Sequence, residues 1–171
     1  MIRKDMQDAL NTQVNAELYS SYLYLSMSSW FQSINLPGCA NWMRVQAMEE
    51  LVHATKMFDF VIGRSGRAIL GPVEGPATEW SSPLDAFEAV YRHEQKVTGL
   101  INALADKSLE LKDHATNIFL QWFVTEQVEE EASADEIVQR LKLIKGSPDA
   151  LFMLDKDLGA RVFTPPAAEG K

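Results

Sequence analysis

The chain holds a single cysteine, Cys39, among 171 residues, so no intrachain disulfide can form and a reducing, cytoplasmic setting is the simpler expectation. Cys39 itself reads as a small inert residue near a helix start. No run of 18 apolar residues occurs, which excludes a transmembrane helix, and the opening "MIRKDMQDAL" carries charges where a signal peptide needs an apolar stretch. The expectation is a soluble protein with no membrane partner. Positive charge is scarce: 16 Lys and Arg stand against 24 Asp and Glu, a formal charge of −8, which argues against nucleic acid as a partner and suits small cations.

What is present is one ordinary domain's worth of apolar residues, 46% of the chain, with no internal repeat. Glycine and proline are absent from about Asp5 to Ser33, the first predicted helix. "INLPG" breaks it, and a second helix runs from Pro37 and Gly38 to about Arg64. "SGRAILGPVEGPATEWSSP" cannot be helical. Ser82 and Pro83 cap a third helix reaching about Glu110, "LKDHAT" turns into a fourth ending near Lys145 and Gly146, and Ser147 and Pro148 open a short fifth, "PDALFMLDKDL". Residues 159–171 are expected to be a loose tail. Helices of roughly 27 residues are about 40 Å long, and a connection of some 17 residues can span about 55 Å. The expected fold is therefore all-α: a four-helix bundle with one long crossover between helices two and three, plus a short fifth helix.

"MEELVHATKM" places the wrong residues in the right rhythm. Spacing of three and four gives the second helix a seam Met43, Gln46, Glu50, His53, Met57, Phe60, apolar at its ends and polar at its centre. The first helix gives Leu10, Val14, Glu17, Ser21, Tyr24, Ser28, Phe31; the third gives Phe87, Val90, Glu94, Val97, Ile101, Leu104; the fourth gives Leu120, Phe123, Gln127, Glu130, Ala134, Ile137, Leu141, Ile144. Each seam carries a carboxylate near its helix midpoint, and a midpoint keeps its level whichever way the helix runs. Glu17, Glu50, His53, Glu94 and Glu130 should share one layer of the bundle.

Buried carboxylates so gathered do not stay ionised unaided, because each desolvated charge costs several kcal/mol and like charges repel. Protonation or scattered ion pairs would relieve this, but no Lys or Arg occupies these seams, and a multivalent cation relieves it most fully. Oxygen ligands with a lone imidazole suit iron or manganese better than a structural zinc site, which prefers thiolates and more histidines. Glu50-x-x-His53 alone is a commonplace pair; the four interrupted seams together carry the signal.

The arrangement resembles the ferritins, in particular the non-haem bacterial ferritins, over Asp5 to Leu158. The family's template is a Glu from each of two helices and Glu-x-x-His from each of the other two. Glu17 and Glu94 match the single glutamates and Glu50 with His53 the first pair, whereas the second pair here reads Gln127-x-x-Glu130. Bacterioferritins keep His there and bind haem through a helix-two methionine; Val52 stands at that position here, so no haem is expected. The resemblance implies a cytoplasmic ferroxidase that stores iron. Glu17, Glu50 and His53 would hold one iron, and Glu50, Glu94 and Glu130 a second with Gln127 beside it. Tyr24 would be a hydrogen-bond donor or electron source, though a packed core tyrosine meets the same spacing.

It further implies a third iron site at Glu49, Glu126 and Glu129, residues that read by themselves as a solvated acidic face. The partners implied are Fe(II), dioxygen or peroxide, and about two dozen copies of the chain in a hollow cage. A di-iron oxidase or peroxidase that stores no iron, and a metal-free adaptor bundle, are the alternatives. His93 points about 100° off the seam and suggests a surface or contact role. His114 would lie near threefold contacts and the fifth helix near fourfold ones, while Asn117 and Leu120 replace the acidic channel residues of vertebrate ferritins. Trp42, Trp80 and Trp122 suggest packing.

Overall fold

In the computed structural model, which describes residues 1–164, the chain forms α1 (Lys4–Ser33), α2 (Pro37–Gly63), α3 (Pro83–Glu110), α4 (His114–Ile144) and α5 (Pro148–Leu158). There is no strand among the described residues. The starts follow side-chain chemistry: Ser82, Asp113 and Ser147 each accept a hydrogen bond from a backbone N–H of the first turn, and Pro stands at the first turn of α2, α3 and α5. The ends depart from the glycine rule. Asn35, Ser65, Lys112 and Lys145 take the left-handed conformation just past α1 to α4, and only after Lys145 does a glycine, Gly146, share it.

α1 and α2 form one antiparallel hairpin and α3 and α4 another. The crossover is fastened along α1. Gln7 accepts from the Arg67 N–H at 2.9 Å, Asn15 accepts from the Gly71 N–H at 2.9 Å and donates to the Pro72 carbonyl at 3.0 Å, and Ser26 donates to the Ala77 carbonyl at 2.7 Å. It thereby travels the bundle's length and delivers Phe87 of α3 to within 5.4 Å of Trp42 at the start of α2. Helices two and three run parallel, as the crossover length allows.

The core is split. One apolar cluster holds Tyr24, Phe31, Met43, Phe87, Ile137 and Leu154, the other Met6, Leu10, Met57, Ile101, Leu120 and Phe123. At about 1.5–3 kcal/mol per large side chain buried, these clusters supply the main stabilisation and hold the polar layer between them.

α5 docks on the start of α2. Leu154 and Leu158 enter the first cluster, and the buried Asp155 accepts the Cys39 N–H at 2.8 Å. Burial, then the Asp155 charge, pushes the Cys39 thiol up, so it is inert as expected. The approach requires Gly38, where an added Cβ would sit 1.6 Å from the Asp155 carbonyl oxygen. Gly38→Ala is expected to displace α5 at a cost of about 2–3 kcal/mol. A lowered melting temperature together with faster proteolysis at the α4–α5 turn would show it; unchanged protection of that turn would refute it.

The tail is not loose where it starts. Asn41 donates to the Arg161 carbonyl at 2.9 Å, and the Arg161 guanidinium donates to Glu49. The remainder of the expected tail, 165–171, lies outside the described residues.

Candidate metal centre

The seams converge. Glu17 and Tyr24 from α1, Glu50 and His53 from α2, Glu94 from α3 and Gln127 and Glu130 from α4 are all buried, none more than 6% exposed. The helical period puts each one turn from apolar neighbours that fix its height.

A hydrogen-bond scaffold aims the carboxylates. Gln13, four residues before Glu17, donates to it at 2.9 Å. Gln46, four residues before Glu50, donates to Glu130 at 2.5 Å and to Glu50 at 3.4 Å. Tyr24 donates to Glu94, and Gln127 donates to the other Glu94 oxygen at 3.3 Å. His53 Nδ1 lies 3.4 Å from Glu50 Oε2, its ring held edge-on by Trp122 and Phe123. Among the layer's carboxylates, Glu17 Oε2 and Glu50 Oε2 are buried with no N–H donor on them. A buried acceptor left so costs about 1–3 kcal/mol, more if charged.

Ligand atoms of Glu17, Glu50 and His53 lie within 4.8 Å of one another, and so do those of His53, Glu126 and Glu130. The first set is the first iron site of the resemblance. The second brings Glu126 to His53 and Glu130; Glu94, which the resemblance puts with Glu50 and Glu130, accepts from Tyr24 and Gln127 and is the largest charge felt by both of those carboxylates. Glu49 pairs with Arg161 at 2.5 Å, and Glu129 is exposed.

Electrostatics match a site built for positive charge. Burial, then the Glu50 charge, pushes Glu17 up to about 8 against the opposing pull of His53 and Gln13. Burial, then Glu94, pushes Glu130 up to about 8. Burial takes Glu94 to about 7, and its bonds from Tyr24 and Gln127 hold it there. Glu50 lies well above the carboxylate range through burial and the charges of Glu94 and Glu130. Burial and Glu94 raise Tyr24. At neutral pH the metal-free layer holds protons that a multivalent cation would displace.

His93 proves to be a contact residue. Its Nε2 lies 2.8 Å from the Ser20 hydroxyl, its ring packs against Tyr19 and Tyr24, and burial, then Lys96, lowers it to about 4, so it is neutral. Gln13, Gln46 and Arg161 received no role from the sequence. The two glutamines had a signal, each four residues before a seam glutamate on the same face. Arg161 had none, since nothing local in the sequence brings it to α2.

Fold and site together define a four-helix bundle with a buried layer of carboxylates and one histidine that could hold metal. The Ferritin family model, a ferritin-like domain, matches residues 7–144. A bacterial non-haem ferritin of Bacteroides fragilis is 44% identical over 161 residues, covering 94% of this chain and 100% of that one. One of Escherichia coli is 39% identical, covering 92% and 96%. Among solved structures, an open-pore ferritin of the archaeon Archaeoglobus fulgidus superposes with TM-score 0.94 at 57% identity, covering 95% and 100%, and a closed form engineered from that organism's ferritin with TM-score 0.95 at 58% identity, covering 96% and 100%. The chain belongs to the ferritin family.

Proposed function

We propose that this ferritin oxidises Fe(II) at the buried carboxylate layer and stores the ferric product inside a hollow cage. One observation carries the reading: four helices bury their carboxylates at one level, and ligand atoms of Glu17, Glu50 and His53 lie within 4.8 Å of one another. Glu17, Glu50 and His53 bind one Fe(II); Glu50, Glu94 and Glu130 bind a second, with Gln127 orienting Glu94. Glu49, Glu126 and Glu129 offer a third site, and Glu126 already leans toward His53 and Glu130.

Two Fe(II) give up two electrons, which reduce dioxygen to hydrogen peroxide or peroxide to water. Both reductions consume two protons, and Glu17, Glu94 and Glu130 release protons within the same layer as iron enters. Tyr24, held on Glu94, fixes that carboxylate. The protein contributes hard ligands in a preset geometry, while the redox change belongs to the iron.

Membership of the ferritin family and the close match to solved ferritins support assembly. No described helix is long and apolar enough to cross a membrane. About two dozen copies of a 19.2 kDa chain make a particle on the order of half a megadalton. Anaerobic Fe(II) titration of that particle is expected to reach about two tight ions per subunit. A small oligomer on size exclusion would overturn storage, and the absence of tight Fe(II) binding would overturn the centre.

A further inference from the structure

The stretch after α5 turns back along α2 and lays Arg161 beside the third group of acids. Its guanidinium is held at several points: it lies 4.7 Å from the centre of the Trp42 ring, donates to Gln46 Oε1 at 2.8 Å and donates to Glu49 Oε2 at 2.5 Å. Asn41 fixes the Arg161 carbonyl at 2.9 Å, so the backbone is tied as well. Arg161 and Glu49 are each only 25% exposed, unlike an ordinary surface ion pair.

The Gln46 contact sets a direction. Arginine only donates, so the Gln46 oxygen must face it and the amide nitrogen must face the carboxylates. That orientation is what allows Gln46 to donate to Glu130 at 2.5 Å. The guanidinium thus grips Glu49 directly and reaches the metal layer through one buried amide.

We propose that Arg161 is a positioning residue that stands in for a cation at Glu49, so that a third metal ion gains Glu49 as a ligand only by displacing the guanidinium. The inference rests on the reading of the layer as a metal centre. Burial raises Glu49, Arg161 is the largest charge opposing that rise, ahead of His53, and Glu126 adds to it. With the guanidinium in place, Glu49 is spent as a counter-ion, and a third ion must rely on Glu126 and its neighbours. The first two ions do not face this competition, because Arg161 makes no contact with Glu17, Glu50 or His53.

The test uses anaerobic Co(II), which carries the charge of Fe(II) without being oxidised in the assay, titrated into the assembled protein by equilibrium dialysis. The parent protein is expected to take two ions tightly and a third weakly. R161Q should tighten the third on the order of tenfold, as a charge-assisted contact is removed from its competitor. R161K, which keeps the positive charge, should leave it near the parent affinity. In E49Q the effect of R161Q should vanish. A merely structural role for Arg161 gives the opposite sign, a weaker third ion. An unchanged or weakened third ion in R161Q, a gain equally large in R161K, or a gain that persists in E49Q would each overturn the proposal. Two tight ions with a third indifferent to R161Q overturn this inference alone, whereas a parent protein that binds no cobalt overturns the functional reading and this inference with it.

Discussion

Glu50→Ala slows the first phase of Fe(II) oxidation on the order of a hundredfold or more, and His53→Ala acts in the same direction. Glu50 is the hub of the layer. One oxygen accepts from Gln46 at 3.4 Å, and the other lies 3.4 Å from His53 Nδ1. Its charge is felt by Glu17. It feels those of Glu94 and Glu130. As Glu50 is the carboxylate proposed to serve both iron positions, its loss removes a ligand from each at once. The folded state tolerates the change better than a usual core truncation, because the cavity left behind is offset by relief of a desolvated, crowded carboxylate. Stopped-flow oxidation alongside circular dichroism separates the two effects. Variants with native helicity that oxidise iron at the parent rate would remove Glu50 and His53 from the site.

Raising the pH from 6 to 8 lowers the melting temperature of the metal-free protein. Glu17 and Glu130 titrate at about 8 in the fold, against an ordinary 4.5. Between those values the unfolded chain has released the proton while the folded chain still holds it. The unfolded state therefore binds fewer protons, and stability falls as pH rises, levelling off only above the folded values. Glu94, at about 7, adds to the slope over the lower part of the window. Each unit of separation is worth about 1.4 kcal/mol, so the loss between pH 6 and 8 is roughly 2 kcal/mol for each of the two higher groups. Glu17→Gln should flatten the slope by its share and stabilise the metal-free protein at pH 8. Saturating divalent metal should abolish the trend, because the carboxylates are then ionised and compensated. A melting temperature that is flat or rising over this window in metal-free protein would contradict the burial of these groups as acids.

The helices and their common polar level were legible because both depend on short-range spacing. Ser82 with Pro83, Ser147 with Pro148 and the interrupted seams all act within a turn or two of chain, and the helix boundaries fall within a residue or two of those expected. Glu17, Glu50, Glu94 and Glu130 lie buried at mid-helix for the same reason. What stayed hidden depends on rotamers and on distant chain. Whether Glu126 or Glu94 turns toward Glu130 is a choice of side-chain torsion that helical spacing leaves open. His93 was given a surface or contact role, and its tie to Ser20 arises from the crossing of α1 and α3. The expectation of a loose tail failed at Arg161 because composition reports only that a segment is polar, not that a guanidinium will find Trp42, Gln46 and Glu49 on another helix.

The crossover is fastened to α1 and leaves the acidic level to the helices. A backbone break within it would yield two complementary fragments: one supplies Glu17, Glu50 and His53, the other Glu94, Gln127 and Glu130. Reassociation would have to restore both greasy halves and a polar stripe whose burial is opposed until protons or a cation neutralise it. Iron would then act as a rivet between two pieces of protein as well as a cargo, while the α5 clasp on α2, seated over Gly38, would keep the second fragment in register with the first.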